Sequence, residues 1–256
     1  MLELSIGELA EIVDGKLLWS DLPPIGGPLD PIRRLAYDTR RVSPGDVLWC
    51  LSTSCWDHPA ASTEAYRRGA RGVVGERFAA PWAGTFSLQV ASAKDSLLRL
   101  ASYGRRQFRG KLIAVAAGPE TATYCRLLQT VLTDFGVGGT CSVLRRNDEW
   151  LPTGLVELSL KSDFAILPLF DLEKDDILRL SYPHAAVITP AVRCTRELAA
   201  RRVLPWLPES GQLIEVDTIR EAAIQVARLF DVSDEALQLA LDRALEPTRR
   251  DHTKAA

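Results

Sequence analysis

The chain has 256 residues, enough for one large domain or two modest ones, each with a core of its own. Hydrophobic residues make up 46% and charged residues 25%, the balance of a globular protein, and there is no repeat or low-complexity segment. The formal charge of −2 argues against a general nucleic-acid binder, and five cysteines without C-x-x-C spacing argue against a disulfide framework or a zinc site.

Met1 to Leu9 carries early acid and no basic region, unlike a signal peptide, and no apolar run approaches the roughly 20 residues that span a bilayer. A cytoplasmic protein without a membrane span is expected. Ser5 and Glu8 have capping-box spacing, with Leu9, Ile12 and Val13 following at helical period and Gly15 closing the helix. The stretch 21–31, rich in Pro and Gly, is a loop. Ile32 to Tyr37 reads as a strand, 38–46 as a turn-rich segment and Val47 to Leu51 as a buried strand. A helix over Ser62–Arg68 ends at Gly69, and strands follow at Arg71–Gly75 and Phe86–Val90. Ser92 and Asp95 open an amphipathic helix to about Phe108, and 105–110 is the domain boundary. Beyond it come a strand (Lys111–Ala117), a loop (118–121) and a helix to about Phe135. Strands are expected at 164–169, 185–189 and 213–216, and helices at 175–180, 219–230 and 233–245. Strands alternating with helices predict α/β architecture with largely parallel sheets. Seven Arg-Arg pairs are scattered along the chain, and most read as solvated faces.

The order Asp38-Thr39-Arg40-Arg41-Val42-Ser43-Pro44-Gly45-Asp46, then the Val47–Leu51 strand, Trp56-Asp57-His58 and Gly69-Ala70-Arg71-Gly72-Val73-Val74, resembles the first domain of the Mur ligases. These are the ATP-dependent peptide ligases of peptidoglycan precursor synthesis, and the members adding the third residue or D-Ala-D-Ala are the most similar. The resemblance covers roughly the first 110 residues. It implies a small α/β substrate domain over 1–109 that holds the UDP end of a UDP-MurNAc-peptide, with Asp38, Thr39, Arg40, Asp57 and His58 as the binding residues. A hydroxyl and a fork of guanidinium donors suit diphosphate and sugar oxygens. A purely structural reading stands beside it: Asp38 and Thr39 cap the turn while Arg40 pairs with Asp46 or Asp57.

Residues 110–256 resemble the family's central, P-loop-like ATPase domain in abridged form, and they depart from it at the chemistry. The family opens a helix with Thr-Gly-Thr/Ser-Asn-Gly-Lys-Thr-Thr, whose N–H groups curl around phosphates while the Lys neutralises them. Here the aligned residues are Ala116-Ala117-Gly118-Pro119-Glu120-Thr121-Ala122-Thr123, and no lysine lies between Lys111 and Lys161. A carboxylate at Glu120 would repel a phosphate by about 4 kcal/mol at roughly 4 Å with an effective dielectric of about 20. Gly118, Glu120, Thr121 and Thr123 therefore form a degenerate phosphate loop, and a turn capped by Thr121 or Thr123 is the simpler reading. Pro168 takes the place of the family's magnesium-holding Glu, Pro190 that of an Asn, and Asp171, Glu173, Asp175 and Asp176 read as a solvated helix start. His184 reads as structural. Residues 245–250 resemble the end of the central domain, and the family's third domain is absent before the chain stops at Ala256.

These readings imply a non-catalytic Mur-ligase homologue in cell-wall metabolism, with no catalytic or metal-binding residues and no cofactor. It would bind a UDP-linked muropeptide or a protein partner, and neither nucleic acid nor membrane. The alternative is an active ligase with an unusual site for ATP and Mg²⁺. A scaffold that binds nothing is the third reading.

Overall fold

The first helix, α1 (Ile6–Val13), is specified by its own first turn. The Ser5 hydroxyl accepts from the Glu8 N–H at 3.2 Å, and the Glu8 carboxylate accepts from the Ser5 N–H at 2.8 Å. The Ser5 N–H and then the Ser5 hydroxyl, which donates to the same carboxylate at 2.9 Å, hold the Glu8 carboxyl below its usual range. Asp14, not Gly15, takes the left-handed conformation that ends the helix (φ 53°). Gly15 serves space instead, since a Cβ there would stand 2.7 Å from a Leu88 methyl.

The computed structural model describes residues 4–22, 26–51, 59–134, 155–156, 162–168, 185–188, 212–230, 232–233, 235, 237 and 240–241. The expected helix at 175–180 and most of that at 233–245 lie outside these residues. The chain divides into two compact units, 1–104 and 105–256.

In the first unit, strands β1 (Lys16–Trp19), β2 (Leu35–Ala36), β3 (Val47–Trp49), β4 (Gly72–Gly75) and β5 (Phe86–Gln89) form one sheet in the order β1-β5-β4-β3-β2. All neighbours are parallel except β1 on β5. The four-residue β1, which no periodicity announces, adds an antiparallel edge. The strand expected over 32–37 shrinks to two residues because its start is tied elsewhere: the Ile32 N–H donates to Leu4 O at 2.8 Å, and Ser5 bridges Pro31. Strand alternation sends Leu48, Cys50 and Val73 to one face, where they pack with Ala65 and Tyr66 of α2 (Pro59–Arg67). On the other face the Trp49 indole N–H donates to Ala93 O at 3.0 Å, at the start of α3 (Ala93–Gln107). Each such fully buried large side chain stabilises by about 1.5–3 kcal/mol relative to exposure.

In the second unit, β6 (Lys111–Ala116), β7 (Phe164–Pro168), β8 (Ala185–Ile188) and β9 (Gln212–Glu215) form an all-parallel sheet in the order β7-β6-β8-β9. Ile113 and Val115 pack with Leu128 and Val131 of α4 (Thr121–Asp134) and Val226 of α5 (Ile219–Arg228). The chain leaves β6 toward β7 on one side and returns to β8 on the other, so the strand order reverses at β6. In such sheets ligands sit outside the carboxyl ends of strands at that reversal. The turn following β6 occupies this place. Among the described residues, no helix is long and apolar enough to cross a membrane.

Candidate functional site

In the first unit Asp38, Thr39 and Arg40 share one turn beyond the carboxyl end of β2. Asp38 caps a short 3-10 helix (Thr39–Arg41) by accepting from the Arg40 N–H at 2.9 Å. Its carboxylate also accepts from the Arg40 side chain, from Nε at 3.1 and 3.2 Å and from Nη2 at 2.9 Å. The guanidinium holds the Asp38 carboxyl below its usual range. Arg40 remains 84% exposed and its Nη1 takes no part in this pair. Asp57 and His58 lie outside the described residues.

The expected pairing of Arg40 with Asp46 is corrected here. Asp46 is buried and belongs to Arg34, which it meets through Nε (3.0 Å) and Nη2, while also accepting from the Ser43 N–H at 2.8 Å. Arg34 further reaches the Arg41 carbonyl at 2.9 Å, so this pair fixes the entire turn. Sequence reasoning missed Arg34. The available signal was that Asp46 immediately precedes a fully apolar strand, where a buried carboxylate requires a dedicated cation.

In the second unit the turn after β6 folds back on itself. Gly118 adopts positive φ (56°), which glycine accepts without strain, and opens a short 3-10 segment (Gly118–Glu120). The fully buried Thr121 hydroxyl accepts from the Ala117 N–H at 3.0 Å and donates to Gly118 O at 2.8 Å. The Glu120 N–H donates to Ala117 O at 3.2 Å and the Thr121 N–H to Gly118 O. Pro119 has no N–H to give. Three backbone donors that could face an anion are thus spent within the turn, and Thr121 acts as a clasp for it. Glu120 and Thr123 are exposed.

The carboxylates Glu120, Asp217 and Glu221 all act on Tyr124, whose phenol is raised above its usual value first by burial and then by these three charges. Three carboxylates thus lie within electrostatic reach of the Tyr124 phenol. Pro168 ends β7 opposite Val115, with no oxygen ligand in its side chain. Among the described residues no group of three or more His, Cys, Asp or Glu could hold a metal ion. Pro190, His184 and the carboxylates at 171–176 lie outside them. An Mg-nucleotide needs backbone donors, a cation near the outer phosphates and oxygen ligands for the metal. Among the described residues, the turn as built does not supply that set.

These two α/β units, one with a mixed sheet and one with a parallel sheet whose turn lies at the strand-order reversal, define the class: a two-unit α/β fold. The neighbours of the chain in sequence and in structure are Mur ligases, at low identity and partial coverage, consistent with a relative of that family. It is 32% identical over 113 residues to the UDP-N-acetylmuramoyl-L-alanyl-D-glutamate–2,6-diaminopimelate ligase of Syntrophomonas wolfei, over 43% of this chain and 23% of that protein. It superposes on the UDP-N-acetylmuramoylalanyl-D-glutamyl-2,6-diaminopimelate–D-alanyl-D-alanyl ligase of Acinetobacter baumannii with a TM-score of 0.71 and 18% identity, over 94% of this chain and 68% of that one. A second structure of MurF from that organism gives 0.66 and 21%, covering 88% and 52%. MurF of Thermotoga maritima, solved with ADP, gives 0.56 and 18%, covering 77% and 48%. The chain thus spans about a quarter of the curated relative and about half of several solved ones, an abridged form of the fold. No family model matches it.

Proposed function

We propose that this chain is a non-catalytic Mur-ligase relative that binds a UDP-linked muropeptide precursor in cell-wall metabolism and uses neither ATP nor Mg²⁺. The observation that carries this reading is the turn after β6, which commits the Ala117, Glu120 and Thr121 N–H groups to its own acceptors, the first of them to the Thr121 hydroxyl. Glu120 and the charges of Asp217 and Glu221 beside it oppose a triphosphate, and the stretch 112–160 contains no lysine to offset them. Losing half of the roughly 4 kcal/mol of repulsion would still leave affinity lowered by more than tenfold. In the first unit, Thr39 and the edge of Arg40 that Asp38 does not engage present a hydroxyl and planar donors at the end of β2. Asp57 and His58 complete the proposed ligand set.

Thermal shift measurements test the proposal. UDP-MurNAc-tripeptide is expected to raise the melting temperature, and Mg-ATP at millimolar concentration to leave it unchanged. Saturable heat on titrating Mg-ATP by calorimetry would overturn the reading in favour of an active ligase with an unusual nucleotide site. Silence toward both compounds would leave a scaffold.

A further inference from the structure

Three of the arginine pairs that look scattered in the sequence are gathered by the fold. Arg33-Arg34 enters β2, Arg40-Arg41 closes the 3-10 turn, and Arg67-Arg68 ends α2. Backbone contacts join these three places. The Gly45 N–H donates to Gly69 O at 2.8 Å, Arg34 reaches Arg41 O at 2.9 Å, and Arg68 Nη1 reaches Arg40 O at 3.3 Å. The stem of Arg33 lies over Gly45, where a Cβ would stand 3.3 Å from its Cδ. All six arginines are exposed. The carboxylates that pair with them are Asp38 (to Arg40), Asp46 (to Arg34) and Glu64, which serves both Arg67 and Arg68. Among the described residues Arg33 and Arg41 pair with none. Counted over those residues, the face carries a surplus of three positive charges on a chain whose formal charge is −2.

We infer that this face docks an acidic segment of a partner protein. All six cations are guanidiniums, whose fork grips a carboxylate with two parallel hydrogen bonds, whereas lysine offers a point charge. The three fixed carboxylates among them oppose a uniformly anionic surface such as nucleic acid or a phosphatidylglycerol bilayer. They favour a partner whose acidic residues are spaced by uncharged ones and held in one register. The negative balance elsewhere on the chain also repels a large polyanion. A short acidic segment senses only the local face, because charges beyond about 8 Å are screened at physiological salt. The inference does not depend on the muropeptide proposal, since Arg33 and Arg41 are outside that ligand set.

The test uses the full chain and a fluorescein-labelled peptide of alternating Glu and Gly, with its Gln-for-Glu counterpart as control. Fluorescence anisotropy should show binding of the Glu peptide only, weakening as salt rises. Arg33→Glu with Arg41→Glu should weaken it by about tenfold or more, while Arg33→Lys with Arg41→Lys keeps part of the affinity. The UDP-MurNAc-tripeptide thermal shift should be the same in wild type and both variants. Should the double Glu variant fail to fold, Arg33→Ala and Arg41→Ala singly give the same reading. Absence of peptide binding at low salt, or binding indifferent to Arg33 and Arg41, overturns the inference. So does tighter, Arg33- and Arg41-dependent binding of phosphatidylglycerol vesicles or a single-stranded oligonucleotide.

Discussion

At the scale of single residues, the two turns differ in how much of their polar inventory is already used. Thr121 is fully committed: removing its hydroxyl strands the buried Ala117 N–H and one bond to Gly118 O. Thr121→Val, close in shape, is therefore expected to cost about 1–3 kcal/mol, read from the urea midpoint. A midpoint unchanged from wild type would show that the clasp contributes nothing. Arg40 keeps donors in reserve, and its hold on Asp38 has a direct titration signature. The Asp38 carboxyl sits below its usual range because of Arg40, so the pair stabilises above the ordinary carboxylate range, about pH 4, and the contribution is lost as pH falls through the lowered value. Arg40→Gln should return Asp38 toward the ordinary value in an NMR titration, and should abolish the UDP-muropeptide thermal shift. The residue types at 38–40 were readable from the sequence, but their partners were not. Asp46 and Asp38 are both near Arg40 in sequence, and only burial behind β3 decides that Asp46 goes to Arg34.

At the scale of elements, local chemistry announced most of the fold. The capping box at Ser5 and Glu8, the apolar runs of β3 and β6 and the Ser92 start of α3, where its hydroxyl accepts from the Asp95 N–H at 3.2 Å, all lie where the pattern puts them. What the pattern could not give was pairing. β1 has no periodicity and exists because β5 offers an edge, and β2 is short because Leu4 and Ser5 claim its neighbours. Packing at one glycine shows the same non-local control. Gly72 stands opposite Phe86 in register, and a Cβ there would stand 2.3 Å from Cζ of the Phe86 ring, well inside van der Waals contact. Gly72→Ala should thus destabilise by about 1–3 kcal/mol through overpacking of the β4–β5 pair, seen as a lower melting temperature. Combining it with Phe86→Leu should recover part of the loss. If Gly72→Ala melts like wild type, the ring has room to move and the register argument fails.

At the scale of the whole molecule, the division between 104 and 105 falls inside α3, which runs to Gln107. A fragment cut at that division would lose the last turn of a helix whose Leu97, Leu100 and Ala101 are buried. The proposed boundary at 109 leaves α3 entire. A 1–109 fragment retains every strand of the first sheet, both buried faces around Leu48 and Trp49, and the Arg34–Asp46 pair that fixes the 38–46 turn. A chain of this size buries enough surface to fold alone, so the fragment should unfold in one cooperative urea transition. Its response to ligand then bears on function. A ligand held only by the first unit stabilises the fragment by the same mass-action amount as the full chain, about 2.7 kcal/mol at a concentration one hundred times the dissociation constant. UDP-MurNAc-tripeptide should accordingly shift the fragment and the full chain alike. A shift confined to the full chain would place part of the ligand's grip beyond residue 109, and a fragment that unfolds without cooperativity would refute its autonomy.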